Sequence, residues 1–141
     1  MSYLLDTDVL SEGAKPRPDA VVLAWLKENE AECFTSAIVL AEITRGVARL
    51  PSGRRRERLQ LWLEDLRTAF GARALPFDSA VAKVWGELLA DLELRGLLPP
   101  HPDSYLLATA KQQGLTIATR NVSNYAGRGV PVFNPFTGEL R

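Results

Sequence analysis

Apolar positions along this chain follow two rhythms. Val81, Val84, Trp85, Leu88, Leu89 and Leu92 recur at the spacing of one helix face, with Asp78 placed to cap that helix and Gly96 to end it. Leu59, Trp62, Leu63, Leu66 and Phe70 repeat the pattern between an arginine cluster and Gly71. A shorter helix follows Asp19, with Val22, Trp25 and Leu26 facing inward. Val39, Ile43, Val47 and Leu50 predict another over 36–50, stopped by Pro51. The last long helix begins at His101-Pro102, where a proline suits the first turn, and stops at Gly114. The leucines and tryptophans on these stripes are expected in the core.

The second rhythm is a set of short apolar runs between the helices, at 3–5, 33–35, 73–77, 116–118 and 130–133. Runs this short, alternating with helices, predict strand–helix–strand units around a buried and mostly parallel sheet. The fold class is therefore α/β, expected as one domain over residues 1–141. Cys33 falls on a strand, where it packs as a small hydrophobe; as the sole cysteine it excludes an internal disulfide and a multi-cysteine zinc site. No apolar run reaches the roughly 20 residues of a membrane helix, and Met1-Ser2 opens no basic leader, so the chain is expected to be soluble and cytoplasmic.

Seventeen basic residues balance seventeen acidic ones, which excludes a globally cationic nucleic-acid binder but not a local patch. Thirteen of the cations are arginine, concentrated in Arg45, Arg49, Arg54, Arg55, Arg56 and Arg58. Such a cluster is either a solvated helix start or a face for RNA, an acidic partner or a second subunit.

In open parallel sheets the chemistry gathers beyond the carboxyl ends of the strands. Asp6 and Asp8 follow the first predicted strand, and Thr119-Arg120-Asn121-Val122-Ser123-Asn124 follows the fourth. Asp103 stands in the first turn of its helix, where the dipole alone would favour an anion. Glu42 sits in a mostly apolar stretch of its helix, where an ion pair with Arg45 is the bland alternative. Asp6, Glu42 and Asp103 together in one cleft would repel strongly unless one is protonated or a hard cation binds. An oxygen-only set selects Mg²⁺ or Mn²⁺ over zinc.

These residues carry a resemblance. Leu4-Leu5-Asp6-Thr7-Asp8-Val9, Ser36-Ala37-Ile38-Val39-Leu40-Ala41-Glu42-Ile43, Pro51-Ser52-Gly53-Arg54-Arg55-Arg56, Leu75-Pro76-Phe77-Asp78, Asp103-Ser104-Tyr105-Leu106-Leu107-Ala108-Thr109-Ala110 and Thr119-Arg120-Asn121-Val122 stand in order along nearly the whole chain. Together they resemble the PIN-domain ribonucleases, in the VapC-type, FitB-like branch of toxin–antitoxin toxins. The resemblance implies a three-layer α/β/α sandwich and an Mg²⁺- or Mn²⁺-dependent endoribonuclease cleaving tRNA, rRNA or mRNA. It makes Asp6, Glu42 and Asp103 the metal-binding, catalytic carboxylates, with Thr119 and Asn121 orienting water or phosphate. It also implies a homodimer and a small DNA-binding antitoxin whose C-terminal segment occupies a groove near the acids.

One departure stands out. The family usually carries a fourth acid where this chain has Asn124, which weakens the case for a second metal ion. Asp8 stands where relatives often have asparagine, and either restores charge or caps the short helix after the first strand. Two other readings compete: a PIN domain kept chiefly as an antitoxin-binding module, and a haloacid dehalogenase-type phosphatase suggested by Asp6-Thr7-Asp8.

Overall fold

Five strands, β1 (Tyr3–Leu5), β2 (Cys33–Ser36), β3 (Ala74–Leu75), β4 (Thr116–Ala118) and β5 (Val132–Phe133), pair in the order β3-β2-β1-β4-β5. Every pairing is parallel, so the sheet is parallel throughout. The computed structural model describes all residues, Met1–Arg141. Seven α-helices connect and cover the strands: α1 (Thr7–Leu10), α2 (Ala20–Glu28), α3 (Ala37–Ala48), α4 (Arg54–Phe70), α5 (Ser79–Leu94), α6 (His101–Gln113) and α7 (Val122–Tyr125). Leu4 and Leu5, which point to opposite faces of β1, are both buried, as is every residue of β4. Both faces of the sheet are therefore covered, and the layers are α/β/α. No helix is long and apolar enough to cross a membrane.

The local signals act as the sequence suggests. The Asp19 carboxylate accepts from the amides of Val21 and Val22 and starts α2; Ser36 caps α3 through Val39, and Asp78 caps α5 through Val81. Gly114 ends α6 in the left-handed region, at φ +68°. The core runs from Leu4, Val9 and Val22 through Val39 and Leu92 to Leu107, Ile117 and Val132, all with no exposed surface.

Some expectations move. The run 73–77 yields a strand of only Ala74–Leu75, since Arg73 closes a 3-10 turn and Pro76 has no amide hydrogen to extend the ladder. Pro131 likewise shortens the last strand to Val132–Phe133. The helical stripe of α4 buries only Leu63 fully; α4 packs chiefly against α3, so Trp62, expected in the core, is left half-buried at a groove. Trp25 is half-buried too, against Tyr3 and Phe133. Cys33 does pack inside, and burial pushes its thiol up to about 11. The C-terminal residues protect the edge of β5: Val132 and Arg141 exchange backbone hydrogen bonds at 2.7 and 2.8 Å.

Candidate active site

The chain leaves β1 in one direction to β2 and returns from β3 past it to β4, so the carboxyl ends of β1 and β4 flank a topological switch point. Asp6 directly follows β1, and its amide donates to Ala118 O at 2.9 Å, holding it against the end of β4. Glu42 comes to the same edge from the second turn of α3, which starts directly after β2. Asp103 comes from the first turn of α6. The three carboxylates, with Asp8, Asn121 and Lys15, line a pocket of about 400 Å³ that contains no apolar residue.

Each acid is held by its own partners. Thr7 N donates to Asp6 Oδ1 at 2.8 Å, while the hydroxyls of Thr119 and Tyr125 both donate to Oδ2, at 2.9 and 3.0 Å. Thr7 Oγ1 donates to Glu42 Oε2 at 2.9 Å, and Glu42 forms no ion pair with Arg45. Asn124 Nδ2 donates to Asp103 Oδ2 at 3.0 Å, so this amide steadies the third acid. Asp8 Oδ2 accepts from the Arg120 amide at 2.9 Å. The α1 cap is Asp6, so Asp8 does not fill that role. Thr119 braces Asp6 from outside the pocket, and only Asn121 of that pair faces the cavity; its amide donates to Thr119 Oγ1 at 3.0 Å.

The negative charges are felt throughout. Burial foremost, and then the charge of Asp6, lifts the Asp8 carboxyl to about 6. Partial burial raises Glu42 too, opposed by the Thr7 hydroxyl and aided by the charges of Asp6 and Asp103. Asp103 is raised by burial first, with Asp6 adding to it against the hydrogen bonds of Tyr125 and Asn124. The Tyr125 phenol, buried first of all and facing two acids, is pushed far up and stays a donor.

Whether a hard cation suits this set can be judged from the donors. They are all oxygens, their mutual repulsion is partly unrelieved, and Asp8 Oδ1 is buried without any donor. No three His, Cys, Asp or Glu side chains converge closely enough to cage an ion as they stand. The acids share a cavity rather than a closed cage, and Glu42 lies exposed at its rim. The donor chemistry fits magnesium or manganese.

Beside the pocket runs a groove of about 720 Å³ with Ile43, Val47, Leu50, Leu59 and Trp62 along it, and Lys15, Arg55 and Arg58 among its polar residues. Groove and pocket share Thr7, Ser11, Lys15 and Glu42, so the two are continuous. None of Arg45, Arg49, Arg54, Arg55, Arg56 and Arg58 enters an ion pair, and Arg56 alone of the six is half-buried. Sequence reasoning missed Thr7, Lys15 and Tyr125. Thr7 carried a signal, standing between the two acids after β1; Tyr125 carried none beyond the need of a buried phenol for a partner.

A profile of the PIN domain matches residues 3–123. Toxin FitB of Neisseria gonorrhoeae is 39% identical over 135 residues, covering 94% of this chain and 97% of that protein. VapC ribonuclease Y4jK of Sinorhizobium fredii is 37% identical over 135 residues, covering 94% and 96%. Among solved structures, FitAB bound to an IR36 DNA fragment superposes with a TM-score of 0.90 at 37% identity, covering 97% of each chain. These matches overturn the phosphatase reading of Asp6-Thr7-Asp8.

Proposed function

The chain belongs to the PIN-domain family, within its VapC-type toxins, and from that premise we propose that it is an Mg²⁺- or Mn²⁺-dependent endoribonuclease restrained by a small DNA-binding antitoxin. The observation that carries the reading is the meeting of Asp6, Glu42 and Asp103, from three distant parts of the chain, in one polar pocket at the switch point of the sheet. Asp6, Glu42 and Asp103 would hold the divalent ion, which when bound would supply an acidified water for attack and charge relief at the departing oxygen. The protein's own part is preorganisation. Thr119 and Tyr125 hold Asp6, Thr7 holds Glu42, and Asn124 holds Asp103, so each acid is kept facing the one cavity. Attack by water needs no 2′-hydroxyl, so preference for RNA resides in binding.

The antitoxin's segment belongs in the groove beside Trp62, and the chain is proposed to work as a homodimer. Support for a partner comes from the similarity to FitB, whose solved complex FitAB sits on DNA. A second reading, a binding module with weakened turnover, is favoured by Asn124 in place of the fourth acid.

Protein purified free of antitoxin, incubated with a panel of structured RNAs, separates the two. Metal-dependent cuts bearing 5′-phosphate ends, lost in Asp6→Asn and Asp103→Asn, support the nuclease. Absence of cutting across the panel, with antitoxin binding intact, supports the module. Sequencing the cut ends of cellular RNA after brief induction then identifies the substrate.

A further inference from the structure

Lys15 is the only cation lining the acid pocket, and it lines the adjoining groove as well. Its place is not left to chance. Glu12, one turn earlier, is 3% exposed, and its Oε2 meets Lys15 Nζ at 2.8 Å, while Oε1 accepts from the Asp19 amide at 2.8 Å. A carboxylate is buried in this way only when it is paired. Lys15 foremost, then the Asp19 amide, holds the Glu12 carboxyl below its ordinary value. Glu12 thus works as a fixed post, and the ammonium it grips remains about half exposed, with N–H groups left to donate. Other nearby cations are placed differently. The Arg120 guanidinium lies 3.7 Å over the Phe136 ring, and Arg55 and Arg58 line the groove without reaching the pocket.

The electrostatics give this lysine a task. Four carboxylates line the pocket, and even a bound divalent ion leaves the cavity unfavourable to an incoming phosphodiester. A cation at the boundary between pocket and groove offsets that repulsion where the chain must pass. We propose that Lys15, positioned by Glu12, receives the RNA phosphodiester that flanks the scissile bond. The inference deepens the nuclease reading and rests on it. Lys15 is then a substrate-binding residue, and Glu12 a positioning residue that acts through it.

Binding of a short fluorescein-labelled single-stranded RNA, measured by anisotropy in Mg²⁺ with Asp103→Asn as a cleavage-silent background, is the first arm of the test. Cleavage kinetics with Asp103 intact are the second. Lys15→Met is expected to weaken binding about tenfold and to raise KM by a similar factor with kcat changed far less, because the contact is present before the transition state. Its log–log salt slope should fall by about 0.7, the value of one phosphate on a single strand. Lys15→Arg should keep the slope. Glu12→Gln should weaken binding about threefold with the slope retained, since the cation is loosened rather than lost.

Lys15→Met also strands a buried carboxylate, so Lys15→Met/Glu12→Gln is the control for folding. The double variant should recover stability and keep the binding defect. Unchanged affinity and slope in Lys15→Met, or their recovery in the double variant, would overturn the proposal and leave Lys15 as a mere counter-ion of Glu12. If no RNA is cut by the unmutated protein while the Lys15 contrast in binding persists, the hydrolytic reading fails and the phosphate site stands. If RNA is cut while KM and slope are unmoved by Lys15→Met, the hydrolytic reading stands and the phosphate site fails.

Discussion

At the scale of single residues, the pocket is a set of carboxylates each steadied by a short polar side chain, and these braces make separate predictions. Tyr125 has no exposed surface and gives its hydroxyl to Asp6 Oδ2, an oxygen it shares with Thr119. Tyr125→Phe is expected to destabilise the protein by about 1.5–3 kcal/mol in urea unfolding, the range for a lost hydrogen bond to a charged group. Because both hydroxyls serve one oxygen, Tyr125→Phe and Thr119→Val should be non-additive in a double-mutant cycle. Additive losses would mean that the two donors act independently. Asn124 makes a prediction with opposite signs. Asn124→Asp replaces a donor to Asp103 by a like charge, so metal-free protein should melt lower, while Mn²⁺ affinity by calorimetry should rise about 10–100-fold. The acids themselves were legible in the sequence because each follows or enters a predicted element. Tyr125 was not, because its partner lies 119 positions away and no local pattern records so distant a contact.

At the scale of elements, position depends on how each helix begins and ends. The N-terminus of α6 carries Asp103, and it is tied to α5 by a relay: Trp85 Nε1–H donates to Ser104 Oγ at 2.9 Å, and that hydroxyl donates to His101 O. Ser104→Ala leaves the indole N–H without its acceptor and should cost about 1–3 kcal/mol by thermal or urea melts. It should also lower cleavage, since the turn bearing Asp103 loses its tether to α5. Retained activity at wild-type stability would show that packing alone seats this turn. Cys33, opening β2, gives a pH test. Its thiol loses a proton more readily unfolded than folded, so the unfolded state binds fewer protons between the ordinary thiol value and about 11, and stability falls as pH rises through that window. Cys33→Ala should flatten that part of the stability profile relative to the parent. Legibility at this scale followed length. The helices α2 to α6 span two or more turns and show their period, whereas α7, with 4 residues, completes barely one turn and left no stripe to read. Pro76 and Pro131 were visible, yet the apolar runs around them read as longer strands than the ladder allows.

At the scale of the whole molecule, net neutrality conceals a division of labour along one edge of the sheet. The acids gather in the pocket, while unpaired arginines and an apolar strip gather in the groove that adjoins it. The groove joins an apolar strip to three cations, Lys15, Arg55 and Arg58, a poor match for RNA along its length but a good one for an amphipathic peptide with acidic residues. The two cavities share Thr7, Ser11, Lys15 and Glu42, so a peptide seated in the groove as proposed would stand beside the mouth of the pocket and block it without a conformational change. Trp62 is the aromatic residue of that groove, half-buried and well placed as an anchor. Trp62→Ala should therefore leave metal-dependent cleavage close to that of the parent while raising the antitoxin concentration for half-inhibition by about 30-fold, as a lost contact of about 2 kcal/mol requires. Titration of cleavage with purified antitoxin measures this directly. Equal loss of cleavage and of inhibition would instead mean that Trp62 holds α4 against α3 and shapes both cavities at once. That outcome would remove the division of labour between groove and pocket on which steric inhibition depends.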